Sequence, residues 1–542
     1  GDLRNVTTTF NVQLRGICVP EEKLEPIQSF RSKPQDKIQQ DANDLHLIQS
    51  HVSNHDMPVA TDEFRELDAE IYLRFSPARK RIIVATLSFC SFLAPIGSTS
   101  ILSGIPEVAE TYNTTGSIIN ASNALYLAFM GIASPFWGPF SQVWGRRPIF
   151  FVSAFLFTCC SIGTALAPNL PAYFIFRALS GFQGTSFLVT GSSAIGDIYE
   201  PRARATALGW FLSGTLVGPA FGPFIGGVIV NFCSWRDVFW LQTALGGVGT
   251  CLVFFFFPET YPYLDKQKKA EQTRLAQAKF LWHRVNPIRV GVLLFSYPNL
   301  FFGGLAAGAL VWNQYSLLTP IRYVLNPRFH LTSPILSGLF YIAPGCGYLA
   351  GTFVGGRWAD YTVKKWIRRR GGVRVPEDRL KSCVVFLGAV IPGCILIYGW
   401  TVEKAVGGVP VPVLAMFVQG VAQLFCFPSL NTYSLDVMQS SGRSAEVVAG
   451  NYLFRYAIAA LGSGLVLPAV EAIGVGWFST ISAGFLIVAG FCIWLSTIYG
   501  EKWRKQIDAK KERKRLAMER SSSHEQQPAV QETTEKVKQL EV

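Results

Sequence analysis

The chain has 542 residues, of which 49% are hydrophobic and 16% charged, and its formal net charge is +13. A soluble domain holds roughly 25% charged residues, whereas here the charges gather in a few blocks between long apolar runs. The basic residues lie in short segments beside those runs and form no continuous basic face, which excludes nucleic acid as the partner of the positive charge. Eleven cysteines, most of them inside apolar runs, show no CxxC spacing, so neither a metal site nor a disulfide framework is expected. There is no phosphate loop, ligand cluster or nucleophile motif, so no cofactor and no enzymatic activity are expected.

Residues 1–80 are polar and aperiodic and read as a disordered tail. No cleavable signal peptide is expected ahead of the first apolar run, which begins near Ile82. A membrane-spanning helix needs about 20 apolar residues. Runs of that kind occupy 82–105, 117–137, 148–167, 172–192, 206–230 and 237–257, giving a first bundle over 81–257. A polar linker, 258–288, follows. A second bundle, 289–499, holds runs at 296–320, 333–356, 382–401, 411–433, 447–470 and 477–498. Residues 500–542 form a basic and then polar tail.

Charge sets the expected orientation, because Lys and Arg collect on the cytoplasmic side. With the N-terminus inside, the inner connections hold Arg146, Arg147, Arg202, Arg204, Lys364, Lys365 and Arg443, while segments 106–116, 168–171 and 471–476 hold no Lys or Arg. Both termini then fall in the cytoplasm. Asn113-Thr114-Thr115 is a glycosylation sequon in an expected outer loop.

The two halves echo each other. Gly138 to Pro148, with Gln142, Gly145, Arg146 and Arg147, follows the second run, and Gly356-Arg357-Trp358-Ala359-Asp360 follows the eighth. Asp197 closes the fourth run ahead of Arg202 and Arg204, and Asp436 closes the tenth ahead of Arg443. Such matching marks a duplicated transporter with its site near the midplane between repeats. Asp197 with Arg204, and Asp436 with Arg443, are candidate charge pairs. The fifth run carries Gly214, Gly218, Pro219, Gly222 and Pro223 within a segment of five glycines and two prolines. Small residues let membrane helices approach closely and proline bends them.

These segments resemble the major facilitator superfamily. Gly138–Pro148 is similar to its loop between helices two and three. Arg177-Ala178-Leu179-Ser180-Gly181 is similar to its fourth-helix Arg motif, and Gly214–Gly227 to its antiporter signature. Trp235-Arg236 and Pro258-Glu259-Thr260 also fit the superfamily, and in the second half Asn431–Asp436, Asn451-x-x-x-Arg455 and Gly474-x-Gly476-Trp477 resemble its fungal twelve-helix drug:proton antiporter group; the resemblance covers residues 70–500.

The resemblance implies an all-α membrane protein, with twelve transmembrane helices in two six-helix bundles built from inverted repeats. It implies proton-coupled efflux of a small organic molecule, such as a drug, toxin or fungal secondary metabolite, by alternating access. The expected partners are the lipid bilayer, the substrate and protons. A monomer in the plasma membrane is expected, with the vacuolar membrane as the alternative. The loop at Gly138–Arg147 would latch the halves together on the inner side. An acidic residue normally takes part there, whereas Gln142 supplies no charge. Either the latch is weaker, or Asp360 and Asp197 carry more of it.

Polar residues at membrane depth are functional by default. Arg177, Asn120, Asn123, Tyr126, Asn313, Tyr341, Gln423, Asn451 and Arg455 are therefore the candidates for a substrate or proton site. No carboxylate lies deep in the first six runs. An organic-acid exporter, a nutrient symporter and a non-transporting sensor of the same fold are the competing readings.

Overall fold

Helix boundaries follow local capping chemistry. The computed structural model describes residues 72–199, 201–261, 287–325, 328–329, 334–372, 375–438 and 444–540. Helix α1 is Pro77–Thr99, with the Ser76 hydroxyl accepting from Arg79 N and Pro77 in its first turn. It opens inside the stretch expected to be tail. It continues through a 3-10 turn, Ser100–Gly104, and a short helix, Ile105–Thr111. Thr115 caps α2, Gly116–Val143. Gly145, at φ 99°, turns the chain into α3, Arg146–Ala165. Asn169 caps α4, Leu170–Ile198. After α5, Pro201–Phe232, a Ser234–Asp237 capping box starts α6, Trp235–Phe256.

The second set begins with a helix, Pro287–Ser296, bent 107° from α7, Pro298–Leu318. Helix α8 is Pro334–Arg369. A 3-10 turn, Pro376–Ser382, and a π-turn, Phe386–Val390, lead into α9, Ile391–Lys404. Helix α10 is Pro410–Met438. Helix α11, Ser444–Leu540, is broken at Gly474 (φ 82°, ψ 165°) into two arms. Its second arm continues through residues 500–540, read from sequence as a polar tail. Residues 1–71, 262–286 of the expected linker, Arg443, and the side chains of Gln142 and Arg204 lie outside the described set.

The expected apolar runs overlap these helices, with 82–105 running on into the 3-10 turn after α1, 382–401 crossing the π-turn into α9, and the last two on the two arms of α11. By length and composition, seven described helices are able to cross a membrane, or eight with the bent pair before and within α7. Helix α4 falls short of that measure. Helix α4 spends its interior on Arg177, Gln183 and hydroxyl groups rather than on apolar side chains.

Exposure sorts the helices as a bilayer solvent requires. Phe155 on α3, Phe255 on α6 and Phe491 on the second arm of α11 are exposed, whereas α1 is mostly buried. Lipid favours apolar side chains outside and satisfied backbone throughout. Helix pairs α1–α5, α2–α4, α3–α6, α7–α11 and α8–α10 pack within each set. Pairs α2–α11 and α5–α8 join the two sets.

Close packing is set by glycines every four residues. A Cβ on Gly218 would stand 2.7 Å from Pro95 Cβ and 2.8 Å from Ile96 N of α1. Gly214, Gly222 and Gly226 continue the same stripe against Ser88, Thr99 and Ser100. The Thr99 hydroxyl donates to the Gly218 carbonyl at 3.3 Å and Ser103 to the Pro223 carbonyl at 2.5 Å. The antiporter-like stripe therefore faces α1 within its own set, while Thr215 and Pro219 face the space between the sets. Helix α8 presents a matching stripe, Gly347, Gly351 and Gly355, to α10. That period-4 signal is present in the sequence but was not part of the repeat comparison above.

Candidate functional site

A small cleft lies between the two sets. Helices α1, α2 and α5 line it from one side, and α7, α8, α10 and the first arm of α11 from the other. Ser98 of α1 and Tyr315 of α7 meet across it, their oxygens 2.9 Å apart. On the second side Gln419 Nε2 donates to Gln423 Oε1 at 2.8 Å, and Gln423 Nε2 reaches Gln314 Oε1 at 3.4 Å. The Tyr348 hydroxyl donates to Gln423 Oε1 at 3.4 Å. The Arg455 guanidinium lies 4.6 Å from the Phe427 ring centre, 5.4 Å from Tyr456 and 5.7 Å from Tyr452.

Beyond the cleft, at the end of the fold where α2 begins, one apolar cluster draws Ile101 and Leu102 from the first set and Leu317, Phe340, Tyr341 and Met416 from the second. Ser117 at the start of α2 donates to Glu471 at 3.4 Å near that end.

The sequence-selected residues separate by position. Gln423 and Arg455 line the cleft. Tyr126 donates instead to the Ala94 carbonyl at 2.9 Å. Asn120 and Asn123 both donate from α2 to Ser463 of α11, to its carbonyl and hydroxyl respectively, and so bridge the sets. Arg177 is 1% exposed and engaged: it donates to the Gly97 carbonyl at 2.6 Å and to Asn123 Oδ1 at 3.0 Å, with its guanidinium 4.8 Å from the Tyr126 ring centre. Tyr341 belongs to the apolar cluster beyond the cleft. Asn313 is fully buried, and neither side-chain atom has a hydrogen-bond partner among the described residues. Asn451 is also buried. Ser98, Gln314, Gln419, Tyr315 and Tyr348 were not among the residues selected from the sequence.

At the other end of α2 lies the turn Trp144-Gly145-Arg146. Arg146 Nε pairs with Asp197 Oδ2 at 3.0 Å, its NH1 reaches Ser141 Oγ at 2.5 Å, and its guanidinium faces the Tyr261 ring. Glu259 accepts from the backbone N–H of Arg146 at 2.9 Å and of Arg147 at 3.1 Å. A carboxylate there meets the unsatisfied donors and the positive end of α3. Asp197 thus has Arg146 as an ion-pair partner, while the side chain of its expected partner Arg204 lies outside the described residues. Asp360 is exposed on α8 and, among the described residues, makes no ion pair. Asp436 pairs with Arg379 at 3.6 Å. Asn113 is exposed at φ 49°, a conformation asparagine tolerates, and Thr115 of its sequon is the α2 cap.

One charged group was not legible beforehand. In the turn Pro376–Ser382, Glu377 and Asp378 are buried. Glu377 accepts from Arg504 at 3.3 Å, and Asp378 pairs with Arg370 at 3.0 Å and Lys381 at 2.8 Å. Buried carboxylates need such partners. They tie the connection before α9 to the second arm of α11.

The Major Facilitator Superfamily model matches residues 87–463. The chain belongs to the Major Facilitator Superfamily. The chain is 25% identical over 554 aligned positions to the MFS antiporter QDR3 of Candida albicans, covering 79% of each protein. It is 27% identical to the efflux pump radE of Floropilus chiversii, over 79% of this chain and 81% of the pump. Among solved structures, a D-xylose–proton symporter superposes with a TM-score of 0.57 at 16% identity, over 76% of this chain and 97% of that one. That likeness concerns the fold alone. The protein is thus a multi-pass membrane transporter of a small molecule, not an enzyme. As expected from the motifs, it sits among fungal relatives named as efflux pumps and antiporters.

Proposed function

We propose that this transporter exports an amphipathic organic molecule by alternating access, with drugs, toxins and secondary metabolites as the substrate class. The observation that carries the reading is the cleft between the two helix sets, lined from the first by Ser98, Thr215 and apolar side chains and from the second by amides, tyrosines and phenylalanine. A site between two helix sets joined by α2–α11 and α5–α8 suits rocking of one set against the other. The glycine–proline signature of α5 and the printed names of the relatives support efflux over uptake.

Proton coupling rests on the family resemblance, since no Asp or Glu lines the cleft. The flanking cations support a plasma-membrane orientation with both ends cytoplasmic. The gating role of Gly138, Gln142, Gly145, Arg146, Arg147 and Asp360, function as a monomer and glycan attachment at Asn113 belong to this proposal. The test is substrate flux in proteoliposomes under an imposed pH gradient, with a panel of lipophilic drugs and fungal metabolites. Gradient-dependent counterflow is the expected result. Binding without movement would instead assign the fold to a sensor.

A further inference from the structure

Two arginines stand at membrane depth, and their surroundings differ. The Arg177 guanidinium is already committed to the Gly97 carbonyl and Asn123. The Nε of each is buried without a hydrogen-bond partner among the described residues, but the Arg455 guanidinium faces three aromatic rings. Ring faces attract a cation, yet they neither neutralise it nor satisfy its N–H groups. Arg455 lines the cleft, and no lining residue is Asp or Glu. A cation held in a low-dielectric site without an anion is costly. A bound anion would meet both the charge and the open donors, in the two-pronged geometry that guanidinium offers a carboxylate.

The rest of the cleft describes the body of that anion. Of the cleft lining, Tyr456 and Phe427 lie beside the guanidinium, and Tyr456 is backed by Tyr452, stacked 6.0 Å away at 11°. Gln314 and Gln423 offer amide donors and acceptors. We infer that Arg455 is the anion-binding residue of the cleft, and that the substrate is an organic acid whose carboxylate sits on an aromatic or amphipathic body. This deepens the transport proposal and rests on reading the cleft as the substrate site.

The test uses the purified full-length protein in detergent and three isosteric probes: 2-naphthoate, 2-naphthamide and 2-naphthylmethylammonium. Dissociation constants are measured by tryptophan quenching and by calorimetry. Naphthoate is expected to bind about tenfold or more tightly than the amide, the scale of a charge-assisted hydrogen-bonded pair. Arg455→Gln should abolish that preference, and Arg455→Lys should restore part of it. Equal binding of acid and amide to the wild-type protein, preference for the ammonium, or no binding of naphthoate overturns the inference without need of any variant. So does a preference that survives in Arg455→Gln. Proteoliposome flux separates this from the transport proposal. Naphthoate bound through Arg455 but not carried removes transport and leaves the anion site; transport of neutral or cationic compounds with no preference for the acid does the reverse.

Discussion

The Glu259 carboxylate closes the first turn of α3 with both oxygens, accepting from Arg146 N at 2.9 Å and Arg147 N at 3.1 Å. Removing a carboxylate from a helix N-terminus typically costs about 1–2 kcal/mol. Glu259→Ala should lower the unfolding temperature of the detergent-solubilised protein. Glu259→Gln should fall between it and wild type, because the amide oxygen accepts but brings no charge. Equal stability of all three would mean that water replaces this cap at no loss.

Helix α5 offers an internal control for close approach. A Cβ on Gly218 meets Pro95 and Ile96 N, whereas one on Gly209 meets nothing within 4 Å. Gly218→Ala should destabilise by about 1–3 kcal/mol through overpacking. Gly209→Ala should be neutral or gain up to about 1 kcal/mol of helix propensity. Gly218→Leu should abolish export while the protein still reaches the membrane; unchanged efflux would remove the stripe from the mechanism.

Arg177 and Arg455 should respond differently to loss of their charge. Arg177→Met leaves the Gly97 carbonyl and Asn123 without their buried donor, so a loss of about 2–4 kcal/mol is expected. Arg455→Met removes a group whose contacts among the described residues are ring faces, and should cost little stability. Thermal unfolding of the two variants side by side checks the ranking, and a larger loss at Arg455 would contradict it.

The break in α11 depends on Gly474, at φ 82° and ψ 165°, beside which Glu403 Oε2 accepts from Val475 N at 2.9 Å. A side chain in that conformation costs about 1–3 kcal/mol. Gly474→Ala should lower the melting temperature, whereas Gly371→Ala, also at positive φ but in open space, should pay only the backbone strain. Matching losses would show that the Glu403 contact contributes nothing.

Much of the fold was legible because the bilayer imposes long apolar runs, and because caps and breaks use local chemistry. Asn169, Ser234 with Asp237, and Gly145 each act within three residues of their own position. The cleft was legible only in part. Asn120, Asn123 and Gln423 look alike in sequence, as polar residues inside apolar runs. Only the packing shows that the first two bridge α2 to Ser463 while the third lines the cleft. Glu377 and Asp378 carried no sequence signal, because Glu377 finds its partner in Arg504, from the second arm of α11 and far along the chain.

By itself the sequence determined the class of protein, its helical runs and its duplicated punctuation, since hydrophobicity, capping and glycine spacing are properties of neighbouring residues. Which polar groups satisfy one another was decided by tertiary structure alone. Arg146 found Asp197 and Glu259, Arg177 found Gly97 and Asn123, and Arg455 was left facing aromatic rings. The physical reason is that a buried charge is stabilised by whatever lies within a few ångströms, and those neighbours come from helices far apart along the chain.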